Sequence, residues 1–307
     1  MNRFLRPEFV YRPRQLFRAI RQKFAGDPSG KVVCELPWRY PVSVNPKSDF
    51  VGHRVYRHGL MAIEACETAF RLLDVGDHAI DIGANQGIVT SAMLARVAAR
   101  NASSLHGSVT SIEMMPSTFD QLSKNVFNWP DSSRSILVTH NLALSDTEGT
   151  ISVGLSQDFQ SNTGVAYCTH EKVPDDHQNL SVPCTTLDRL IGIPDHDIQL
   201  MKIDVERHEY SVLLGAREIL HSQKIKNILI EDDFDANSPA KAFLRSHGYE
   251  IFRLKACLRG IKLEPLLVED LSEQDPDTYI DYLATLDASK AKKAFRSLGY
   301  KCLMTSR

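Results

Sequence analysis

Four carboxylates stand at or near the carboxyl ends of apolar runs in this chain: Asp81 in A-I-D-I, Glu113 after S-V-T-S-I, Asp204 after I-Q-L-M-K-I and Glu231 after K-N-I-L-I. One such acid is often only a helix cap. Four in succession read as a functional edge, because ligands of an open parallel sheet bind outside the carboxyl ends of its strands. Glu113 has the best-defined chemistry, since a carboxylate after the second strand accepts hydrogen bonds from both hydroxyls of a ribose. Past Asp204 come Glu206, His208 and Glu209. An imidazole there, titrating ordinarily near about 6.5, accepts a proton at neutral pH, while the flanking glutamates also suit a helix N-terminus. Asp204 and His208 are the candidate proton acceptors.

The first acid belongs to the stretch D-I-G-A-N-Q-G at residues 81–87, which leads into the helix-like segment Ile88–Arg100. Strand, glycine turn and helix start form a nucleotide-cofactor loop, in which glycine allows positive φ and a close approach of ligand to main chain. A dinucleotide fingerprint G-x-G-x-x-G would need glycine at 85 and 88, where the chain has Asn85 and Ile88. That weighs against a nicotinamide oxidoreductase.

Alternating strand and helix patterns surround these residues, the signature of a doubly wound α/β sheet. Ser108–Glu113, Ile136–His140, Asp197–Asp204 and Lys226–Glu231 read as further core strands. Helices are expected over Gly59–Leu73, Pro116–Phe127, Glu206–Ser222 and from Ser238-Pro239 to Gly248. Tyr249–Leu254 and Ile261–Val268 read as an antiparallel edge pair, so the sheet is mostly parallel. Residues 156–179 read as a long polar loop, and 101–107 as an insertion that lengthens the path from the glycine turn to Glu113. Thr278–Leu286 and Ser289–Leu298 read as short helices. Glu64 and Glu67 lie three apart on one helix face, ordinarily a solvated one. Glu64 is kept as a candidate ligand residue.

With 307 residues, 43% hydrophobic and 24% charged, the chain has the composition of an ordinary soluble globular protein. A net charge of −2 argues against a general nucleic-acid binder, which needs a basic face. Six cysteines without C-x-x-C spacing point to free thiols and a reducing, cytoplasmic setting. Residues 1–24 are the exception to the even charge, with six arginines and Lys23 against Glu8 alone. Leu16, Phe17, Ile20 and Phe24 recur there at helical spacing. Such a basic amphipathic helix docks on its own domain or lies on an anionic membrane surface. Peripheral membrane contact through residues 1–24 is therefore one expectation.

Five ordered motifs carry a resemblance: D-I-G-A-N-Q-G (81–87), S-I-E-M-M-P-S-T-F (111–119), N-L-A-L-S-D (141–146), T-T-L-D-R-L (185–190) and K-I-D-V-E-R-H-E (202–209). As a set they resemble the FkbM family of class I methyltransferases, over about Gly59 to Leu267. The resemblance implies a Rossmann-like fold, S-adenosylmethionine as cofactor, and O-methylation of a sugar, glycan or other natural product. By it, Asp81, Gly83 and Asn85 border the methionine half of the cofactor, Glu113 holds the ribose, Met114 is its apolar neighbour and Ala143 edges the adenine. Asp204 serves as base or orients substrate and cofactor. The chain then divides into an N-terminal extension (1–50), a methyltransferase domain (51–268) and a helical tail (269–307).

One departure matters: the family's K-I-D-V-E-G-x-E has Arg207 in place of the glycine. If that position needs positive φ, arginine costs about 1 kcal/mol or more. The substitution is the best argument for a domain that binds without catalysing. Pro183-Cys184 resembles a cytosine-methylating nucleophile but sits before the fourth core strand, where a buried strand residue is expected. A magnesium-assisted O-methyltransferase would draw on Asp204 with Asp232 or Asp233 as hard oxygen ligands. No metal is assigned.

Overall fold

The computed structural model describes residues 6–98, 107–155, 166–169, 178–233, 235–266 and 280–304. Two short helices, α1 (Pro7–Tyr11) and α2 (Pro13–Ala25), lead into an antiparallel pair, β1 (Val32–Glu35) and β2 (Pro41–Val44), and then α3 (Phe50–His58) and α4 (Ile63–Leu72). The alternating part follows: β3 (His78–Ile82), α5 (Ile88–Val97), β4 (Ser108–Ile112), α6 (Pro116–Phe127), α7 (Asp131–Arg134) and β5 (Leu137–His140). Next come β6 (Ala143–Leu144), β7 (Gly149–Leu155), β8 (Ala166–Thr169), β9 (Gln178–Thr185) and α8 (Leu187–Ile191). The chain continues with β10 (Leu200–Ile203), α9 (Glu209–Leu214), α10 (Arg217–His221), β11 (Asn227–Asp232) and α11 (Pro239–Ser246). It closes on β12 (Glu250–Cys257), β13 (Gly260–Pro265), β14 (Ile280–Thr285) and α12 (Ala288–Phe295).

The central sheet has eight strands in the order β13-β12-β14-β11-β10-β3-β4-β5. From β5 to β11 all pairings are parallel, and β14 runs antiparallel to both β11 and β12. This is the doubly wound, Rossmann-like arrangement, with an antiparallel β12–β13 pair at its edge as the sequence indicates. One expectation fails: Ile280–Thr285, within the stretch read as helix, is a strand inserted into this sheet. Both of its faces are buried, with Tyr282, Leu283 and Ala284 fully covered, so it lacks the polar alternation that marks a half-exposed strand. The sheet thus draws on both sides of the 268/269 division. Ala288–Phe295 is helical, close to the expected Ser289–Leu298.

Strand alternation sorts the core into two layers. Ala79, Val109, Leu200, Leu229 and Leu283 pack under α4 and α5. Ile80, Met201, Ile203, Ile230 and Tyr282 pack under α9, α10 and α11. The segment expected as one helix over 206–222 is two, separated at Gly215, where a Cβ would stand 1.9 Å from the carbonyl oxygen of Ser145. A second sheet, β6-β9-β7-β8, stands apart from the first, with β7 antiparallel to β9 and β8. Most of the expected loop 156–179 and of the insertion at 101–107 lies outside the described residues, and what is described of that loop, 166–169 and 178–179, is strand rather than loop, paired with β7. Cys184 is a buried strand residue, as expected.

The N-terminal helices dock on the domain. Phe9 is buried with its ring 5.5 Å from that of His58, and Tyr11 meets Tyr300 edge-on at 5.6 Å. Gln15 Nε2 donates to the carbonyls of Tyr56 and Arg57. Glu67 is fully buried rather than solvated: its carboxylate accepts from Arg71 Nε at 2.7 Å and from the backbone N–H groups of Lys301 and Cys302. Among the described residues no helix is long and apolar enough to cross a membrane.

Candidate cofactor and methyl-transfer site

A cavity of about 320 Å³ opens at the carboxyl ends of β3, β4, β10 and β11. Gly83, Asn85, Glu113, Met114, Ala143, Asp204 and His208, all singled out in the sequence, line it. Asp81 and Glu64 do not. Asp81 is completely buried behind the wall, where Thr90 Oγ1 donates to it at 2.6 Å. Its influence on the cavity passes through Lys202, whose ammonium lies 3.5 Å from Asp81 Oδ1 and 3.1 Å from Asp204 Oδ2. Burial raises the pKa of Glu64, with Glu8 adding to the shift and Arg54 and Arg6 opposing it.

The glycine turn is forced by its surroundings. Gly83 has φ +75° and lies against the end of β10 so closely that a Cβ would sit 1.8 Å from the carbonyl oxygen of Asp204. The turn's N–H groups do not aim at a ligand. Those of Gly83 and Ala84 both donate to the Ile112 carbonyl, that of Asn85 to Glu113 Oε2, that of Gln86 to Asn85 Oδ1 and that of Gly87 to Ala84. What the turn offers the cavity is side chains and carbonyls. The Gly83 carbonyl is itself taken, accepting from Lys202 Nζ at 2.9 Å.

Glu113 is fixed by two backbone donors, Asn85 N at 2.9 Å on Oε2 and Met115 N at 2.8 Å on Oε1. Burial raises its pKa while those N–H groups oppose the shift. Each oxygen has a further lone pair, so a diol can bridge the carboxylate. Met114, Met115, Leu142, Ala143 and Leu144 give the neighbouring wall an apolar slot suited to a flat ring. The opposite wall is acidic, with Asp204, Glu206 and Glu231. A ribose acceptor, an apolar slot and an acidic far end, in a cavity of ordinary ligand size, fit S-adenosylmethionine.

Electrostatics distinguish the acids. Glu231 is raised to about 9 by burial and by Asp204 and Asp281, and a hydrogen bond joins it to Asp204. Asp281, paired with Glu231 in register across β11 and β14, is raised to about 8 by burial, Glu64 and Asp204. Glu206 rises to about 7 through burial, then through Asp204 and Glu209. Glu209 also reaches about 7, mainly by burial, and its Oε1 accepts from Val205 N at 3.1 Å. Burial works against the charge on Lys202, but Asp204 and Asp81 outweigh it and leave the pKa raised. His208 is buried, with Nε2 2.9 Å from Ser145 Oγ, and that hydroxyl donates to Asp146 Oδ1 at 3.0 Å.

The position where the family pattern has glycine does adopt positive φ: Arg207 is at +71° and Glu206 before it at +52°. Two consecutive left-handed residues cost roughly 1–2 kcal/mol each, and they turn Glu206 into the cavity. Lys202, Asp281 and the titration of Glu206 were not singled out in the sequence. The lysine inside the apolar strand L-M-K-I was the available signal, because a buried ammonium needs carboxylates around it. Asp232 and Asp233 do not face the cavity as a metal pair would. They hold the buried ammonium of Lys241, at 3.0 and 3.5 Å, and among the described residues no group of three or more metal-ligating side chains is assembled.

A Rossmann-like sheet with a ribose-type carboxylate and this acidic wall defines a nucleotide-cofactor α/β protein of the class I methyltransferase kind. Over residues 81–251, more than half of the chain, the sequence matches the methyltransferase FkbM domain, and the chain belongs to that family. Its cofactor is accordingly S-adenosylmethionine. No curated protein matches the sequence. Among solved structures the chain is similar to a methyltransferase FkbM from Methylobacillus flagellatus KT, at 16% identity and TM-score 0.40, covering 68% of this chain and 43% of that one. It therefore spans less than half of that protein's length. It is also similar to Aeropyrum pernix fibrillarin in complex with natively bound S-adenosyl-L-methionine, at 13% identity and TM-score 0.39 over 84% of this chain and 100% of that one. A third is an S-adenosylmethionine-dependent O-methyltransferase from Thermotoga maritima, at 13% identity and TM-score 0.38 over 74% and 66%.

Proposed function

We propose that this protein methylates a hydroxyl group on a sugar, glycan or other natural product. The observation that carries the reading is the acidic wall of Asp204, Glu206 and Glu231, where Glu206 titrates at about 7. A base half ionised at neutral pH is matched to taking a hydroxyl proton, and neighbouring carboxyl groups are acceptors and donors for further hydroxyls of a polyol.

Bound S-adenosylmethionine supplies an electrophilic methyl whose leaving group is already in place. The residues must hold the acceptor oxygen in line and remove its proton. Glu231, at about 9, is protonated at neutral pH and donates to Asp204, while Lys202 holds the other side of the Asp204 carboxylate at 3.1 Å. Thus fixed, Asp204 orients the acceptor hydroxyl. Glu206 takes the proton. His208, anchored through Ser145 to Asp146, shapes the wall next to them and is the second candidate acceptor of the proton.

The test is incubation with S-adenosylmethionine labelled in the methyl group and with glycan or lipid-linked extracts of the source cell. Label in an alkali-stable methoxy group is the expected result. Label in an amine or an alkali-labile ester would overturn the hydroxyl reading.

A further inference from the structure

A second cavity, of about 590 Å³, lies beside the first and is walled by α1, α2 and α3. The two share Phe50, and the Arg54 guanidinium lies over its ring, 5.7 Å from the centroid. Arg6, Lys23, Arg54, Arg57, His53 and His58 line this second cavity, with no carboxylate among its described lining residues. Among the described residues the acids near it are not lining ones: Glu8 is 3.8 Å from Arg6, Asp27 is 3.0 Å from His53, and Glu64 acts electrostatically on Arg54 and Arg6. They leave the cations incompletely matched. Arg54 Nε is buried with no hydrogen-bond partner, and Arg57 makes no ion pair among the described residues. His58 registers the resulting field: burial, then Arg6, Arg54 and Arg57, push it down to about 3. Converging guanidinium groups in a concave site suit the planar, bidentate recognition of phosphate. Outside the lining, α2 carries Phe17 (73% exposed) and Phe24 (84%), with Ile20 and Lys23 of the cavity between them along the helix.

We propose that this second cavity binds a phosphate ester carried by the methyl acceptor, with the acceptor's hydroxyl reaching past Phe50 to the acidic wall. The proposal rests on the hydroxyl-methylation reading and narrows its substrate class. Phe17 and Phe24 favour a lipid-borne phosphate, which would lay its chain along α2. A soluble sugar phosphate or diphosphate presents the same headgroup.

The test titrates inorganic pyrophosphate into the full chain by calorimetry. Three proteins are compared: the parent, Arg54→Gln/Arg57→Gln, and Arg14→Gln/Arg21→Gln, whose arginines are exposed on α2 outside the cavity lining. Binding by the parent and the surface variant, weakened tenfold or more in the cavity variant with S-adenosylmethionine affinity retained, is expected. No binding by the parent, or equal losses in both variants, overturns the site. If the double variant misfolds, Arg57→Gln alone replaces it and should weaken binding several-fold. Flotation with phosphatidylcholine vesicles containing dihexadecyl phosphate then separates the sources. Loss in Phe17→Ser/Phe24→Ser with pyrophosphate binding intact supports the lipid-borne form, and undiminished flotation overturns it in favour of a soluble ester. Pyrophosphate binding lost in the cavity variant while methyl label goes to a group other than hydroxyl sinks the function but not the site. Methoxy label with pyrophosphate binding unaltered by the variants sinks the site alone.

Discussion

Replacing Lys202 with methionine should destabilise the protein by about 4 kcal/mol at pH 7. The ammonium is buried between Asp81 and Asp204, at 3.5 and 3.1 Å, and donates to the Gly83 carbonyl at 2.9 Å. Asp204, with its side chain 36% exposed, can turn to water when the lysine goes. Asp81 is completely buried and cannot. Breaking a buried pair by removing one partner costs roughly 3–5 kcal/mol, because Asp81 is left as an uncompensated buried charge with Thr90 Oγ1 as its hydrogen-bond donor. Urea unfolding of parent and variant at pH 7 measures the difference. A loss under about 1 kcal/mol refutes Lys202 as the counter-charge of the site.

Glu113→Ala removes a charged acceptor for two ribose hydroxyls, worth roughly 1.5–3 kcal/mol, so calorimetry should find S-adenosylmethionine bound about tenfold or more weakly. Unchanged affinity would remove Glu113 from the site. Glu206 acts as a base only when ionised, so parent turnover should fall as pH drops below about 7. Glu206→Gln should erase that limb and lose roughly 10²–10⁴ in rate, as should Asp204→Asn in rate alone; a parental pH profile in Glu206→Gln would assign the proton to His208. Arg207→Gly should relieve the left-handed strain of about 1–2 kcal/mol against about 0.4–1 kcal/mol of added chain entropy. A rise in melting temperature is the expected outcome, and a fall would mean that the arginine's side-chain interactions outweigh its backbone strain.

The parallel strands, their acidic ends and the glycine turn were legible because each repeats a local rule: apolar run, acid, turn, helix start. The site was legible where it follows the chain, in Gly83, Asn85, Glu113 and Asp204. It was not legible where it depends on packing. Asp81 looked like a wall residue, but its side chain shares a sheet face with Lys202, directly opposite in register, and the lysine takes the cavity side. Asp281 entered through a strand whose two buried faces erase the period of two. Glu64 and Glu67 had the right spacing for one face, yet Glu67 serves to pin residues 301 and 302. Arg207 departed from a local pattern, and the structure shows the backbone keeping its left-handed turn at the cost of strain.

The insertion of β14 between β11 and β12 also sets an order of assembly. Residues 250–265 leave the ribosome before residues 280–285, and their hairpin can form locally, but the strand that joins it to the sheet has not yet been made. Until it arrives, β11 presents an open row of backbone donors and acceptors along a run of buried apolar residues, Ile228, Leu229 and Ile230, and such an edge invites pairing with another chain. The nascent protein should therefore depend most on chaperone cover during the interval between synthesis of β13 and β14. A pause or premature stop within that interval would yield an aggregation-prone chain even though every residue of the cavity except its Asp281 support had been translated.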